Sequence, residues 1–301
     1  MAKDLSTLQI GIQILGVLLL TMATSSHLYS QETNEEEAID ALLDELFFNE
    51  EQFMDEVLES FGHQDFIYTS LSFNSNTFFS GREFGIDQFN IVPQLSYYHR
   101  SGFITSVSGI YYETFDPNWD FTNLSLGFYN TLGKQKTLHY YGGYTRYFYS
   151  EENGTFTNSI DLSGGIRNKK RTLGTKLAAT YLFGNDQSIQ LVSGTYAALT
   201  LKRHSDFTIK FRPQLTFVIA EQTIALEQLV IVGDSMSIEI VQNEVFDLLN
   251  TRISVPVNFT TRSWDVQVGY HLNLPNPVAT ESKLNSTSYF SISLGYLLNT
   301  K

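Results

Sequence analysis

The chain has 301 residues, with 32 acidic against 19 basic side chains for a net charge of −13, 14% aromatic residues and no cysteine. Without cysteine there is no disulfide scaffold, thiolate metal site or lipid-anchored cysteine, and the acidic balance argues against nucleic acid as a partner. Beyond the N-terminus no apolar run reaches the ~18 residues of a membrane-spanning helix.

The charge separates the chain into three regions. Residues 1–30 hold only Lys3 and Asp4; residues 32–59 hold twelve acids and no Lys or Arg; the rest carries 19 acids against 18 bases. Residues 1–30 begin with Lys3, continue with the apolar run from Ile10 to Ala23 and leave through a small, polar stretch. That order predicts a secretory signal peptide, cleaved between Ser30 and Gln31.

Residues 31–61 predict an acidic amphipathic helix. Ile39, Leu42, Leu43, Leu46 and Phe47 recur at helical spacing, and Phe53, Met54, Val57, Leu58 and Phe61 extend the stripe. Two roles suit such a segment. One is to dock in the periplasmic mouth of a barrel as a plug or gate. The other is to offer Ile39, Leu42, Leu43, Leu46 and Phe47 to a periplasmic or outer-membrane protein partner.

From residue 62 to 301 the hydrophobic period is two, the mark of strands with unlike faces. Phe207, Ile209, Phe211, Leu215, Phe217 and Ile219 alternate with Thr208, Lys210, Arg212, Gln214 and Thr216. Trp264, Val266, Val268, Tyr270, Leu272 and Leu274 alternate with Asp265, Gln267, Gly269, His271 and Asn273. About twelve such segments are expected, with short turns at 99–102, 133–136, 168–171, 202–205 and 260–263. Longer connections are expected between them, the longest at 221–250, where apolar stretches predict a loop folded over or into the barrel as a constriction or lid. Pro93, Pro213 and Pro256 are expected to mark bulges.

The fold class that follows is all-β: a closed antiparallel transmembrane β-barrel with both termini periplasmic. Three features favour it over a soluble sandwich. The segments are long enough to cross a bilayer at a tilt. Aromatics gather at two levels, Phe78, Phe79, Phe115, Trp119, Phe121, Tyr147, Phe148 and Tyr149 at one and Tyr97, Tyr98, Phe103, Tyr140, Tyr141, Phe207 and Trp264 at the other. The polar face carries whole charges that suit a wet lumen better than a dry core. Asp161, Arg167, Lys176, Lys210, Arg212, Gln214, Arg252, Asp265 and His271 are expected to line that lumen.

The segments Ile91-Val-Pro-Gln-Leu-Ser-Tyr-Tyr-His-Arg-Ser-Gly-Phe103, Leu248-Leu-Asn-Thr-Arg-Ile-Ser-Val-Pro-Val-Asn-Phe259 and Leu272-Asn-Leu-Pro-Asn-Pro277 resemble uncharacterised outer-membrane β-barrel proteins of Bacteroidota-type bacteria. The resemblance covers most of 62–301 and implies the fold and an outer-membrane location. His99-Arg-Ser101 has the His-x-Ser spacing of outer-membrane phospholipase A and of lipid A deacylases. Those families continue Ser-Asn, whereas Gly102 follows here, and the reading is a turn with no catalytic residue. No metal spacing, phosphate loop or cofactor is implied. The expected activity is therefore non-enzymatic: a porin-like channel for small solutes, in contact with outer-membrane lipid. The alternative is an accessory barrel of an outer-membrane complex, with the acidic helix as its docking element.

Overall fold

The computed structural model describes residues 65–78, 87–150, 155–232, 235–278 and 283–299, with side chains outside 222–244 and 299. Residues 1–64, including the expected signal peptide and the helix with Ile39, Leu42, Leu43, Leu46 and Phe47, lie outside the described residues.

Fifteen strands make one sheet: β1 (Phe66–Asn74), β2 (Asn90–Tyr98), β3 (Phe103–Tyr112), β4 (Trp119–Leu132), β5 (Leu138–Tyr149), β6 (Phe156–Arg167), β7 (Leu173–Gly184), β8 (Gln187–Ala197), β9 (Leu199–Arg203), β10 (Thr208–Phe211), β11 (Gln214–Val232), β12 (Ser235–Ser254), β13 (Val257–Thr260), β14 (Trp264–Pro275) and β15 (Thr287–Asn299). Three of them continue a neighbour across a short break, β9 after β8, β11 after β10 and β13 after β12, so fifteen segments form twelve staves. Each stave pairs antiparallel with the next. The ring closes because β14 pairs with both β12 and β13, and β15 pairs with β1. Within the ring, closure leaves no sheet edge, the condition for strands to cross lipid with their ladder groups satisfied.

The three breaks lie at one level on adjacent staves. The amide of Ala197 donates to the Pro213 carbonyl, and the amide of Arg212 donates to the Pro256 carbonyl. Pro213 and Pro256 have no N–H for the ladder, so it is interrupted beside them. Their register does not shift: Phe211↔Leu199 leads directly to Gln214↔Tyr196, and Ser254↔His271 to Val257↔Val268. Leu71↔Pro93 likewise sits in an unshifted ladder. The expected proline bulges are thus corrected. A bulge needs an extra residue, whereas proline removes only a donor. The register shifts lie instead where Asp120, Thr157, Leu201 and Leu249 are skipped in the pairing.

The expected loop at 221–250 is also corrected. β11 and β12 stay paired from Gln214↔Ser254 to Val232↔Ser235. Pairing of β11 with β8 ends at Ala220↔Gln190, and that of β12 with β14 at Asn250↔Pro275. Above those levels the two strands pair with each other as a long hairpin. The near-continuous apolar run Ile224-Ala-Leu-Glu-Gln-Leu-Val-Ile-Val232 hid the period of two.

The five short turns expected from the sequence fall at one end of the barrel, whereas Asn185 and Asp186, the two-residue connection of β7 to β8, lie at the other. His99, Gly133 and Asn168 accept from Gly102, Lys136 and Arg171, and Thr261 donates to Trp264. Gly102 (φ 98°) and Gly133 (φ 81°) take the left-handed conformation that such turns require. Lys202 and Arg203 belong to β9, which moves the expected 202–205 turn to His204–Phe207, closed by the His204 amide on the Phe207 carbonyl. The pairing Phe66↔Asn299 brings both ends of the described barrel to this turn end.

The faces are inverted relative to a soluble protein. Leu162 is 59% exposed while its neighbour Asp161 is 8% exposed, and Leu177 is 58% exposed beside Lys176 at 6%. Apolar patches of this extent are not left in water by soluble monomers. An outward band of Leu95, Val107, Leu126, Leu162, Leu177, Ile189, Val268 and Ile292 is instead the surface that lipid covers.

Candidate functional site: the barrel interior

Strand parity decides which side chains face inward. Counting round the ring, inward-facing charges occupy only part of the wall. Arg167 and Asp161 stand on β6 and Lys176 on β7. Lys210 stands on β10, Arg212 between β10 and β11, Arg252 on β12 and Asp265 on β14. Inside the rim five cations therefore share the staves from β6 to β12, while Arg203, on the inward register through its pairing with Thr208, is exposed at the turn-end rim. The inner faces of β15 and β1 to β5 hold hydroxyls, amides and rings, with His139 their sole basic group among the described residues.

All nine residues expected to line the lumen lie on the inner side, and seven of them are buried: Asp161, Arg167, Lys176, Arg212, Gln214, Asp265 and His271. Their neighbours are mostly hydroxyls and rings. Asp161 accepts from Ser159 at 2.9 Å and Thr180 at 2.8 Å. Asp265 accepts from Thr260 at 2.7 Å. The guanidinium of Arg212 lies 5.7 Å from the centre of the Tyr196 ring, and Arg252 Nη1 is 3.5 Å from the Tyr289 hydroxyl. Arg167 Nε donates to the Lys136 carbonyl at 3.1 Å, and Gln214 Nε2 to Thr216 Oγ1 at 3.0 Å.

His271 is held on both ring nitrogens, Nδ1 at 2.9 Å from Ser254 Oγ and Nε2 at 2.8 Å from Ser291 Oγ, and stacks on Tyr289 at 4.5 Å. Asp265 takes its partners elsewhere, so the two expected lumen residues form no dyad. His271 is a fixed part of the wall.

Several inward rings lie on strand glycines. A Cβ on Gly127 or Gly143 would meet the Tyr141 ring, one on Gly295 the Tyr68 hydroxyl, and one on Gly165 the His139 ring. Glycine leaves room for a ring to lie flat on the wall rather than cross the lumen. At the loop end the wall is different. Val92, Ile110, Tyr112, Phe121, Tyr147, Phe156 and Leu182 pack into a buried apolar cluster on the inner side of β2 to β7, with Phe115 and Tyr149 against it. Tyr147 donates to or accepts from Ser159 Oγ at 3.0 Å.

This cluster corrects part of the expected aromatic girdles. Phe121 and Tyr147 face inward, as do Tyr98 and Tyr141 at the turn end, where Tyr98 stacks on Phe66 at 4.6 Å. Trp119, Phe148, Tyr97, Phe103, Tyr140 and Trp264 remain outward and exposed. On β5 aromatics alternate with aromatics, so hydropathy could not tell its faces apart. The inner cluster was missed for that reason.

The His99–Ser101 pair closes a turn at the barrel rim. His99 Nδ1 is 2.6 Å from Ser101 Oγ, and the Ser101 amide donates to the same nitrogen at 3.3 Å. Asp65 Oδ1 accepts the Arg100 amide at 2.9 Å and is 4.0 Å from His99 Nε2. That backbone bond, helped by the charges of His99 and Arg100 and opposed by desolvation, holds the Asp65 carboxyl below its ordinary value. Ser101's own amide is spent on the histidine, which suits a turn clamp. Among the described residues no group of histidines and carboxylates forms a metal site.

No protein-family model and no curated protein matches the chain. Solved structures with a similar arrangement include the KdgM porin (11% identity, TM-score 0.43, covering 79% of this chain and 99% of that one). Others are an outer membrane channel from Pseudomonas putida F1 (11%, TM-score 0.45, 78% and 96%) and the translocator domain of the autotransporter NalP from Neisseria meningitidis (9%, TM-score 0.45, 87% and 99%).

Proposed function

We propose that this chain is an outer-membrane, porin-like channel that passes small solutes with a mild preference for anions, and that it is not an enzyme. The observation that carries the reading is the placement of five inward cations on the staves from β6 to β12 of a closed, outwardly apolar barrel. Five cations against Asp161 and Asp265 leave a formal +3 on the inner wall. Twelve staves enclose a lumen between the side-chain-filled eight-stranded barrel and the open channel of sixteen, and lining charges set selectivity in such a pore.

The signal peptide at 1–30 delivers the chain to this membrane, and the short turns with both termini face the periplasm. Residues 31–61 plug or gate the channel. Charge complementarity supports this: twelve acids without a base precede β1, which starts at the turn end of a barrel whose interior is cationic. Single-channel conductance of the mature protein and of a form lacking residues 31–60 tests the proposal. Steady conductance, or conductance that appears on deletion, is expected. Silence in both forms overturns it.

A second reading has its own observation. Arg167, Lys176 and His271 are almost without exposed surface, as they would be in a filled barrel serving as the accessory subunit of an outer-membrane complex. In that case both forms are silent, and residues 31–61 with Ile39, Leu42, Leu43, Leu46 and Phe47 retain a periplasmic protein instead.

A further inference from the structure

On the outward face of β5, Tyr144 and Phe148 are exposed apolar neighbours of a cation, Arg146. Parity puts Arg146 with them, because Thr145 and Tyr147 on either side are buried inward. Among outward positions of the described strands the cations are Arg146 and Lys202. Lys202 lies at the turn end beside the Phe207 ring. Arg146 lies near the other end, one outward position below Phe148.

The surroundings of Arg146 are built rather than incidental. Its Nη1 donates to Asn158 Oδ1 at 3.0 Å, and the Tyr144 hydroxyl donates to the same oxygen at 2.6 Å. Asn158 Nδ2 in turn donates to Thr157 Oγ1 at 2.9 Å, which fixes the amide's orientation. The guanidinium lies 5.9 Å from the centre of the Phe148 ring. Leu124 flanks Arg146 on β4, and Ile160 flanks Tyr144 on β6. Among the described residues the guanidinium makes this one hydrogen bond and has no carboxylate partner. A guanidinium carries five donors, so most of them remain to be met.

We propose that Arg146, positioned by Asn158 and Tyr144, binds the phosphate of a lipid headgroup at the loop end of the barrel. A charge on a lipid-facing wall is retained where it is neutralised or reaches the interface. The planar fork of guanidinium matches phosphate in a bidentate manner. The aliphatic and aromatic neighbours are covered by acyl chains, which selects an amphiphilic phosphate over a free one. The site rests on the membrane location proposed above, but not on conduction through the lumen.

The two tryptophans of the chain give a local readout. Trp119 donates its indole N–H to Thr122 at 3.0 Å, and Thr122 pairs with Phe148, whereas Trp264 stands at the turn end. The experiment uses the Trp264→Phe protein, with Trp119 as its single tryptophan, in phosphatidylcholine vesicles containing a minor fraction of brominated lipid. Brominated phosphatidic acid is expected to quench Trp119 more than the same fraction of brominated phosphatidylcholine. Arg146→Gln is expected to abolish the excess, corresponding to at least about tenfold weaker retention of the acidic lipid, and Arg146→Lys to keep part of it. Asn158→Asp, which sets a carboxylate beside an intact arginine, is expected to abolish it as well. Equal quenching by the two lipids, or an excess that survives both Arg146→Gln and Asn158→Asp, overturns the proposal. Abolition of the excess by inorganic phosphate assigns the site to free phosphate and also overturns it. Quenching by neither lipid sinks the membrane reading instead, so the two failures are distinct.

Discussion

The two arcs of the inner wall are made of the same kind of strand and do different things. From β6 to β12 the inward positions include Arg167, Lys176, Lys210, Arg212 and Arg252, with Arg167 bonded to the Lys136 carbonyl, Arg212 against the Tyr196 ring and Arg252 at the Tyr289 hydroxyl. From β15 through β5 they are mostly Tyr, Ser, Thr, Asn and Gly, with His139 the sole basic group among the described residues and an apolar cluster at the loop end. The first arc concentrates cations, and the second is a surface whose shape is set by packing. On the proposed channel reading, the charged arc sets selectivity and the packed arc sets lumen width, each on its own staves.

Changing the charged arc is expected to have the largest effect. Lys176→Glu with Arg252→Glu takes the formal inner charge from +3 to −1, two reversals removing four units, and is expected to convert anion preference into cation preference. Reversal potentials in a salt gradient check this; unchanged selectivity would show that the charged arc is not on the solute path. Next comes the packed arc. Phe121→Ala empties a buried ring from the loop-end cluster and is expected to cost about 3–5 kcal/mol, read as a lower urea midpoint in vesicles with selectivity unaltered. Gly127→Val with Gly143→Val pushes the Tyr141 ring off the wall and toward the lumen. A barrel that still folds but conducts less, at the same selectivity, is the expected result; a wild-type conductance would mean that the glycines do not set lumen width.

The smallest effect is expected at the rim, away from both arcs. The Asp65 carboxyl is held below its ordinary 3.8 by the Arg100 amide. A depressed carboxylate contributes its stability above the unfolded value and loses it as pH falls through the folded one. Asp65→Asn should therefore lose a small amount of stability at pH 7 and show none of the further loss that the wild type undergoes as pH falls below about 3.8. Ser101→Ala in the same turn is expected to leave phospholipid turnover at background.

The period of two made most of the architecture legible in the residues. Phe207 to Thr216 and Trp264 to Asn273 announce their inward and outward sets directly, because parity is local and each residue's face follows from its neighbours. All nine expected lumen residues lie inward for that reason. Parity fails where both faces carry the same kind of side chain. On β5, Tyr140 and Tyr141 read alike, as do Tyr147 and Phe148, yet one of each pair faces inward. It fails again at Ile224 to Val232, where apolar residues run on and a paired strand looks like a loop.

The sequence by itself therefore determined the class of the fold, a stave count of about twelve, the position of most turns and the side on which each clear charge lies. All of these depend on spacing within one strand. The tertiary structure alone decided that the cations gather on adjacent staves, that Phe121 and Tyr147 close a cluster with Ile110 and Leu182, and that Arg146 meets Asn158 across a strand boundary. Those relations depend on the register between one strand and the next, which spacing within a single strand does not carry.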